Sequence, residues 1–284
     1  MDILALLRSY GAHAQRVIPQ LETHAVFRVG VLRANGPTHT SPGQRPGLIA
    51  KQPQSPEGAT PMPDRESPAE LAAQYERRFA ATQEYRRRIW SVLAPGFFQR
   101  RIPADHTLLD LGCGWGEFIN QIRAGAKFGM DLNPDSARHL TPGVVFLQHD
   151  CSQPWPIGPD SLDTIFTSNF FEHLPDKTAL KATLAQAFRA LRPGGQLICL
   201  GPNIKVVPGA YWDFADHHVM LTELSLKEML ELSGFRVDEC RARFLPYTAV
   251  GKRQVPLWMV RLYLKLPLVW RWFGGQFLVV ARKP

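Results

Sequence analysis

Three alternating glycines follow a short apolar run that contains a single acid. Residues 108–118 read Leu-Leu-Asp-Leu-Gly-Cys-Gly-Trp-Gly-Glu-Phe. Because glycine has no Cβ, Gly112, Gly114 and Gly116 let backbone N–H groups come close to a bound ligand. A helix predicted over 117–124 would point its positive end at the same place. The segment therefore predicts a site for a small molecule with an anionic or strongly polar end.

The spacing of the glycines distinguishes between two kinds of ligand. A dinucleotide site has the pattern Gly-x-Gly-x-x-Gly, whereas here the third glycine comes one residue early and Glu117 takes its place. Asp110, just before the turn, would repel a pyrophosphate but attract an ammonium or a sulfonium. The stretch resembles the first motif of the class I S-adenosylmethionine (SAM)-dependent methyltransferases. The resemblance implies that Gly112 and Gly114 line the methionine part of SAM and that Asp110 lies near its amino group.

Apolar segments and helical patterns alternate after this motif. Strands are predicted over 108–111, 126–131, 144–149, 162–167 and 196–200, with a helix over 176–191 that ends at the Arg-Pro-Gly-Gly of 192–195. Asp131 ends the second strand, where an acid binds a ribose diol in sheets of this kind. The alternative role for Asp131 is a helix N-cap before Pro134.

The later segments also resemble the methyltransferases, in particular the small-molecule (type 11, UbiE-like) group. The resemblance rests on Ser-Asn-Phe-Phe-Glu-His-Leu-Pro at 168–175 and on Leu-Arg-Pro-Gly-Gly-Gln-Leu at 191–197. It implies that Asp150 accepts a hydrogen bond from the adenine amino group and that Trp155 and Ile157 flank the ring. SAM is thus the implied cofactor, and the implied cofactor residues are Asp110, Gly112, Gly114, Gly116, Asp131, Leu132, Asp150, Cys151 and Asn169.

The resemblance also implies a fold. It is an α/β fold with a Rossmann-like seven-stranded sheet, mostly parallel with an antiparallel last strand, and with helices on both faces. An N-terminal lid helix precedes the sheet, and its candidate lid residues are Tyr75, Arg77, Arg78 and Tyr85. A helical insertion over 246–275 precedes the last strand, which is predicted at 276–282 and pairs with a strand at 235–244.

Three histidines are candidates for a catalytic base. Methyl transfer from a sulfonium is an in-line displacement, so the protein mainly aligns the acceptor, and a base assists when the acceptor is a hydroxyl. His217 and His218 lie in a loop that the resemblance places on the acceptor side, and His173 follows the fourth strand. The alternatives are a structural role for all three and a reaction without a protein base. Asp216 and its adjacent histidines supply half of a metal site, but no third ligand is evident, so no metal is expected.

The composition of the chain divides it into two parts. Eight prolines among Gly, Ser, Thr and Gln fall within 37–68, a composition that cannot bury enough surface to fold. We therefore expect an extension outside the fold over 1–66 and a methyltransferase domain over 67–284. Four cysteines without metal-ligand spacing are typical of reduced thiols in the cytoplasm. No apolar run reaches 18 residues and the first residues do not read as a signal peptide, so a cytoplasmic location is expected.

The positive charge of the chain is concentrated near its end. The net charge is +8, and residues 241–284 hold nine Lys or Arg and no Asp or Glu. Within them, 246–273 alternates aromatic and aliphatic residues with cations, a pattern that fits an amphiphilic acceptor or peripheral contact with a membrane. The alternative is a helical cap that buries its own apolar face.

The favoured function is transfer of a methyl group from SAM to a small-molecule or lipid- or glycan-linked acceptor, at a hydroxyl. Nucleic acid is a disfavoured partner, because the apolar spacing of the basic segment fits a hydrophobic molecule better. The Asn-Pro-Pro-Tyr turn of base N-methylation and the Pro-Cys of cytosine C5 chemistry are both absent from the sequence. Three other functions stay open: methylation of RNA or protein, a non-catalytic SAM-binding subunit, and, least favoured, a nicotinamide dehydrogenase.

Overall fold

The structure is a computed structural model that describes residues 80–247 and 254–284 and four single positions before them, Glu70, Ala73, Glu76 and Arg77. The predicted extension over 1–66, the start of the predicted lid helix with Tyr75 and Arg78, and residues 248–253 lie outside the described residues. In the described part, the strands are β1 (Thr107–Leu111), β2 (Ala126–Asp131), β3 (Val144–Gln148), β4 (Leu162–Ser168), β5 (Leu191–Pro202), β6 (Arg236–Arg241) and β7 (Gln276–Arg282). The α-helices there are α1 (Gln83–Leu93), α2 (Lys177–Ala190), α3 (Pro208–Tyr211), α4 (Glu223–Leu232), α5 (Leu257–Lys265) and α6 (Pro267–Phe273).

The strands form one seven-stranded sheet in the order β3-β2-β1-β4-β5-β7-β6. Neighbours from β3 to β5 pair in parallel, and β7 runs antiparallel to both β5 and β6. The predicted fold class is therefore confirmed, including the antiparallel last strand. The chain moves outward from β1 to β3 and then returns to β4 beside β1. In open α/β sheets, ligands bind outside the carboxyl ends of the strands at such a reversal.

Strand β1 shows why the sheet is covered on both faces. All five of its residues are buried. Leu108 packs in one hydrophobic cluster, while Leu109 and Leu111 pack in the other. Because successive side chains of a strand point to opposite faces, the two clusters are the two layers of the core. A strand buried on both faces reads as a continuous apolar run, which is why it was visible in the sequence.

Helices α2 and α4 cover one face of the sheet, and α1 and α6 cover the other. Asp176 caps α2 by accepting a hydrogen bond from the Ala179 N–H, 2.8 Å away. Thr222 and Ser225 form a reciprocal capping box at the start of α4. Such caps satisfy N–H groups that the helix itself leaves open, and each is worth about 1 kcal/mol.

The segment after the glycine turn differs from its prediction. Residues 117–124 form a series of turns rather than a helix. Their backbone groups bond to distant partners instead: the Arg123 N–H donates to the side chain of Gln99, and the Ile119 carbonyl accepts from Lys127 Nζ. A single bond of helical type remains, from the Asn120 N–H to the Gly116 carbonyl at 3.0 Å. The positive end of a helix therefore does not point at this turn.

The Arg-Pro-Gly-Gly segment also differs from its prediction. It ends α2 as expected, but it belongs to strand β5 as a bulge rather than to a separate turn. The Gly194 N–H donates to the Lys283 carbonyl at 2.8 Å, and the Lys283 N–H donates to the Gly195 carbonyl at 3.0 Å. These bonds to the residue after β7 hold the glycines in the sheet.

The insertion before the last strand is helical, as predicted. Its helices α5 and α6 are held to the body by Trp270, whose ring centroid lies 4.9 Å from that of Phe244. The Trp270 indole N–H donates to the Tyr263 carbonyl, and the Tyr263 hydroxyl donates to the Phe244 carbonyl. None of the helices in the described part of the chain has the length and hydropathy that crossing a membrane requires.

Candidate functional site

The glycine turn and two predicted acids lie together at the carboxyl ends of β1 and β2. Gly112, Gly114 and Gly116 all have positive φ angles, of 71°, 50° and 74°. The N–H of Gly112 donates to the carbonyl of Met130, which ties the turn to the end of β2. The turn is thus held at the point where the topology predicts a ligand.

Gly112 could not be replaced by a larger residue without a clash. A Cβ built there would lie 2.3 Å from the Phe170 ring. Phe170 follows β4, so the glycine permits close contact between the turn after β1 and the segment after β4. The absence of a side chain at 112 is therefore required by packing as well as by the positive φ.

Asp131 binds the glycine turn directly. One oxygen of its carboxylate accepts from the Gly114 N–H at 2.8 Å, and the other accepts from the Asn133 N–H at 2.9 Å. Burial raises the pKa of this carboxyl, while these backbone bonds and a charged His173 act in the opposite direction. Asn133, not Asp131, caps the short 3₁₀-helix Pro134–His139, by accepting from the Asp135 N–H. The alternative role of Asp131 as the N-cap before Pro134 is therefore not observed.

A second group of charges lies behind the turn. Asp110 and Glu117 are both buried. Burial raises the pKa of Asp110 well above its usual range, and the negative charges of Glu117 and Asp131 raise it further. Arg86, on α1, lies 3.1 Å from a Glu117 carboxylate oxygen. Arg86 thus connects helix α1 to the residue that follows the glycine turn, on the side of the chain where a lid helix is predicted. The candidate Tyr85 contacts the insertion instead, because its hydroxyl accepts from the Val255 N–H.

The remaining predicted cofactor residues differ in how they are placed. Leu132 and Asn169 are exposed, and Asn169 has a positive φ of 49°. Asp150 accepts hydrogen bonds from the N–H and the hydroxyl of Ser152. The Cys151 side chain is buried, with its sulfur 3.3 Å from the Thr183 hydroxyl. Trp155 is buried in the core as well, with its indole N–H on the Cys151 carbonyl.

Two of the three candidate histidines, His173 after β4 and His217 in the loop before α4, lie close together. The ring centroids of His173 and His217 are 4.8 Å apart. His173 Nδ1 lies 3.0 Å from a carboxylate oxygen of Asp216. His217 is buried between the rings of Tyr211 and Phe214, whose centroids lie 4.8 and 5.1 Å from its own. His218 is exposed.

Glu172 joins this group, although its sequence position alone did not single it out. Its side chain is 2% exposed. Burial raises the pKa of the Glu172 carboxyl to about 7, and a charged His173 acts against this rise. Its backbone carbonyl accepts from the N–H groups of His218 and Val219, at 2.8 and 3.1 Å. The loop that carries the histidines is thereby fixed to the segment after β4.

Comparison with known proteins agrees with the fold. A family model described as a methyltransferase domain matches residues 77–239, more than half of the chain. The chain belongs to the class I SAM-dependent methyltransferase family. SAM is the cofactor of this family, while the roles of the glycine turn, Asp110 and Asp131 in binding it stay predictions. The match does not specify the UbiE-like group, which stays a prediction.

Two relatives and one solved structure of methyltransferases describe the similarity further. A Mycolicibacterium smegmatis protein named as an S-adenosylmethionine-dependent methyltransferase is 29% identical over 142 residues, covering 48% of this chain and 54% of that protein. Mouse phenylethanolamine N-methyltransferase is 27% identical over 165 residues, covering 56% and 50%. The chain thus spans about half the length of these curated relatives. A chain from the complex of the Haloferax volcanii Trm112 methyltransferase activator with its methyltransferase superposes with a TM-score of 0.55 at 22% identity, covering 77% and 98%.

Two residues of this candidate site were missed from the sequence. Arg86 lies among several basic residues of α1, and nothing in its spacing distinguishes it from Arg87 or Arg88. Glu172 was seen only as the neighbour of His173. Its position relative to His217 depends on the loop that the Glu172 carbonyl fixes, and this tertiary contact leaves no periodic signal in the sequence.

Proposed function

We propose that this methyltransferase transfers the methyl group of SAM to the hydroxyl of a small-molecule or lipid- or glycan-linked acceptor. The observation that carries the proposal is the glycine turn with two carboxylates at the ends of β1 and β2, Asp110, which is buried, and Asp131, which is half-buried. Carboxylates beside a glycine turn favour a ligand that carries a cation and a hydroxyl-rich sugar. SAM has both features, whereas a pyrophosphate would be repelled.

The protein contributes alignment and charge to this reaction. Bound SAM supplies an activated methyl group on a positively charged sulfur. Asp131 would accept from the two ribose hydroxyls while it keeps its bonds to the N–H groups of Gly114 and Asn133, because an ionised carboxylate has about four acceptor sites, and Asp110 would face the amino group of the methionine part. Precise alignment of acceptor and methyl group can supply about 7–11 kcal/mol of the barrier in favourable cases.

In the proposed site, the acceptor would bind beside His173 and His217. His173 lies on the segment whose Phe170 contacts the glycine turn, and the ring centroid of His217, from the loop before α4, lies 4.8 Å from that of His173. A hydroxyl placed between the turn and these rings could pass its proton to an imidazole as the methyl group arrives. His218 is the weaker candidate, because it is exposed outside this group. The mouse relative, whose name describes methylation of a small amine, supports the small-molecule class of acceptor.

Labelled-methyl transfer tests the proposal. The purified chain is incubated with isotope-labelled SAM and extracts of the source cells, which are then partitioned between an organic and an aqueous phase. Label in a small organic-soluble product, with mass spectrometry placing the methyl group on oxygen, is the expected result. Label that is sensitive to ribonuclease or protease would show that the acceptor is RNA or protein instead. SAM binding without any transfer would indicate a non-catalytic subunit.

We further propose that the insertion lies on an anionic lipid surface, from which the acceptor is taken. Trp258, Leu268, Trp272 and Phe273 are exposed on α5 and α6. The exposed positions between them include Arg261, Lys265 and Arg271, and the segment 241–284 contains no acid. Tryptophan and leucine beside cations favour the interface of a membrane with negatively charged headgroups.

A further inference from the structure

A buried group of three side chains has the composition of a metal site. One potential ligand atom from each of Glu172, His173 and His217 lies within 4.8 Å of the others. Glu172 and His217 are buried, and His173 is partly buried. From the sequence, Asp216 and the adjacent histidines lacked a third ligand. The structure forms a different set, in which His217 is joined by Glu172 and His173 from another segment.

The backbone holds these ligands in place from two sides. Glu172 and His173 lie in one short 3₁₀-helix, Phe171–His173. The loop with His217 is fixed to it by two hydrogen bonds on the Glu172 carbonyl, and the Tyr211 hydroxyl donates to the Val219 carbonyl within the same loop. Ligands from two segments that are bonded to each other are prearranged, so little chain entropy is lost when an ion binds.

Asp216 has a different role from the one its position in the sequence suggested. Its carboxylate lies 3.0 Å from His173 Nδ1. Histidines that bind metals through one ring nitrogen usually donate the other ring N–H to a carboxylate or a carbonyl. Asp216 is therefore placed to orient His173, and Nε2 is the ring nitrogen that would bind the ion.

We propose that Glu172, His173 and His217 bind a divalent transition-metal ion, for which Zn²⁺ is the best-suited probe. Two imidazole nitrogens and one carboxylate oxygen suit Zn²⁺, Mn²⁺ or Fe²⁺, whereas Mg²⁺ and Ca²⁺ prefer oxygen ligands alone. Ligand atoms about 2.1 Å from one tetrahedral ion lie about 3.4 Å apart, so the widest pair has to close by about 1–1.5 Å. Rotation of the side chains is enough for such a change.

Three protein ligands leave one position of the ion open. Catalytic zinc sites have this arrangement, while structural sites are closed by four protein ligands. This part of the inference rests on the proposed function: an acceptor hydroxyl bound at the open position would lose its proton to water more easily, and its oxygen would bond to the methyl carbon as the carbon–sulfur bond of SAM breaks. The two histidines would then act as ligands, and no separate protein base would be needed.

Metal binding by the untagged full chain tests the site without SAM or acceptor. The protein is stripped with a chelator, and Zn²⁺ binding is followed by calorimetry and by metal analysis after dialysis. We expect one ion per chain, with at least tenfold weaker binding in Glu172→Gln and His217→Ala. Asp216→Asn should weaken binding about 10–100-fold, because it removes the carboxylate that orients His173. The matched control is His218→Ala, in the same loop but outside the group, which should bind like the wild type.

The outcomes separate the metal site from the proposed function. No bound zinc, or equal binding by His217→Ala and the wild type with unchanged circular dichroism, would overturn the site. Methyl transfer that persists unchanged in the chelated protein would overturn the role of the ion in the reaction, while the methyltransferase assignment would stand. Loss of transfer in the chelated protein, restored by Zn²⁺ but not by Mg²⁺, is the expected result.

Discussion

Asp131 is bonded directly to the glycine turn. Its carboxylate accepts from the N–H groups of Gly114 and Asn133, at 2.8 and 2.9 Å. Each bond to a charged acceptor contributes about 1.5–3 kcal/mol, so this one side chain stabilises the turn. In the proposed function, the same carboxylate would also bind the ribose of SAM.

Replacement of Asp131 tests this double role. Asp131→Ala should weaken SAM binding at least tenfold, which corresponds to about 1.4 kcal/mol, because both ribose bonds and the hold on Gly114 are lost. Calorimetric titration with SAM measures the change. Asp135→Ala, which removes an exposed carboxylate of the following 3₁₀-helix, is the control and should bind normally. Unchanged affinity in Asp131→Ala would remove Asp131 from the cofactor site.

At the scale of elements, the glycine turn and the segment after β4 are in direct contact. Gly112 and Gly143 both have positive φ angles, of 71° and 94°. They differ in their surroundings, because a Cβ at 112 would lie 2.3 Å from the Phe170 ring while one at 143 would meet nothing within 4 Å. The pair therefore separates the cost of backbone strain from the cost of packing.

Alanine at each position should show this difference. Gly112→Ala should lower the free energy of unfolding by about 1–3 kcal/mol more than Gly143→Ala, because only the first change forces the ring of Phe170 to move. Urea denaturation of the two variants measures the difference. Equal losses of unfolding free energy would mean that backbone strain alone explains the effect at Gly112 and that the Phe170 ring moves without an energetic cost.

The insertion contributes an exposed apolar surface that the fold itself does not use. Leu268 on α6 is 77% exposed, and Leu232 at the end of α4 is 78% exposed. Leu268→Asp should weaken binding to vesicles that contain phosphatidylserine at least tenfold, because it places a negative charge against anionic headgroups. Leu232→Asp introduces the same charge elsewhere and should have little effect. Vesicle sedimentation measures both, and equal behaviour of the two variants would exclude the insertion as the contact.

At the scale of the whole molecule, the sequence predicts that the Pro-rich extension lies outside the folded unit. Deletion of residues 1–60 should leave the melting temperature and the SAM affinity nearly unchanged, because the composition of 37–68 predicts no buried core. Deletion of 1–93 is the contrasting variant. It removes Trp90, which packs against Phe98, Phe118 and Phe166, and should lower the melting temperature sharply. A large loss in the shorter deletion would show that the extension packs on the domain.

Most of the sheet could be predicted because its signals are local. β1, β2 and β4 are buried runs between turn residues, and the observed bounds of β2 equal the predicted ones. Residues 117–124 could not be predicted, because their backbone bonds go to Gln99 and Lys127, which the local pattern does not contain. The group of Glu172, His173 and His217 was missed for the same reason. Glu172 comes close to His217 only because tertiary hydrogen bonds hold the His217 loop against the Glu172 backbone.

The position of β7 has a consequence for how the polypeptide folds during its synthesis on the ribosome. β7 is the last of the seven strands to be synthesised, yet it lies between β5 and β6. Until residue 276 has emerged, β6 has no neighbour with which to pair, and one edge of β5 stays open. An open sheet edge on a nascent chain invites aggregation, so this interval is when a chaperone would be of most use. A chain truncated before β7 would therefore lose two strands from the sheet, β7 itself and β6, which among the described strands pairs only with β7.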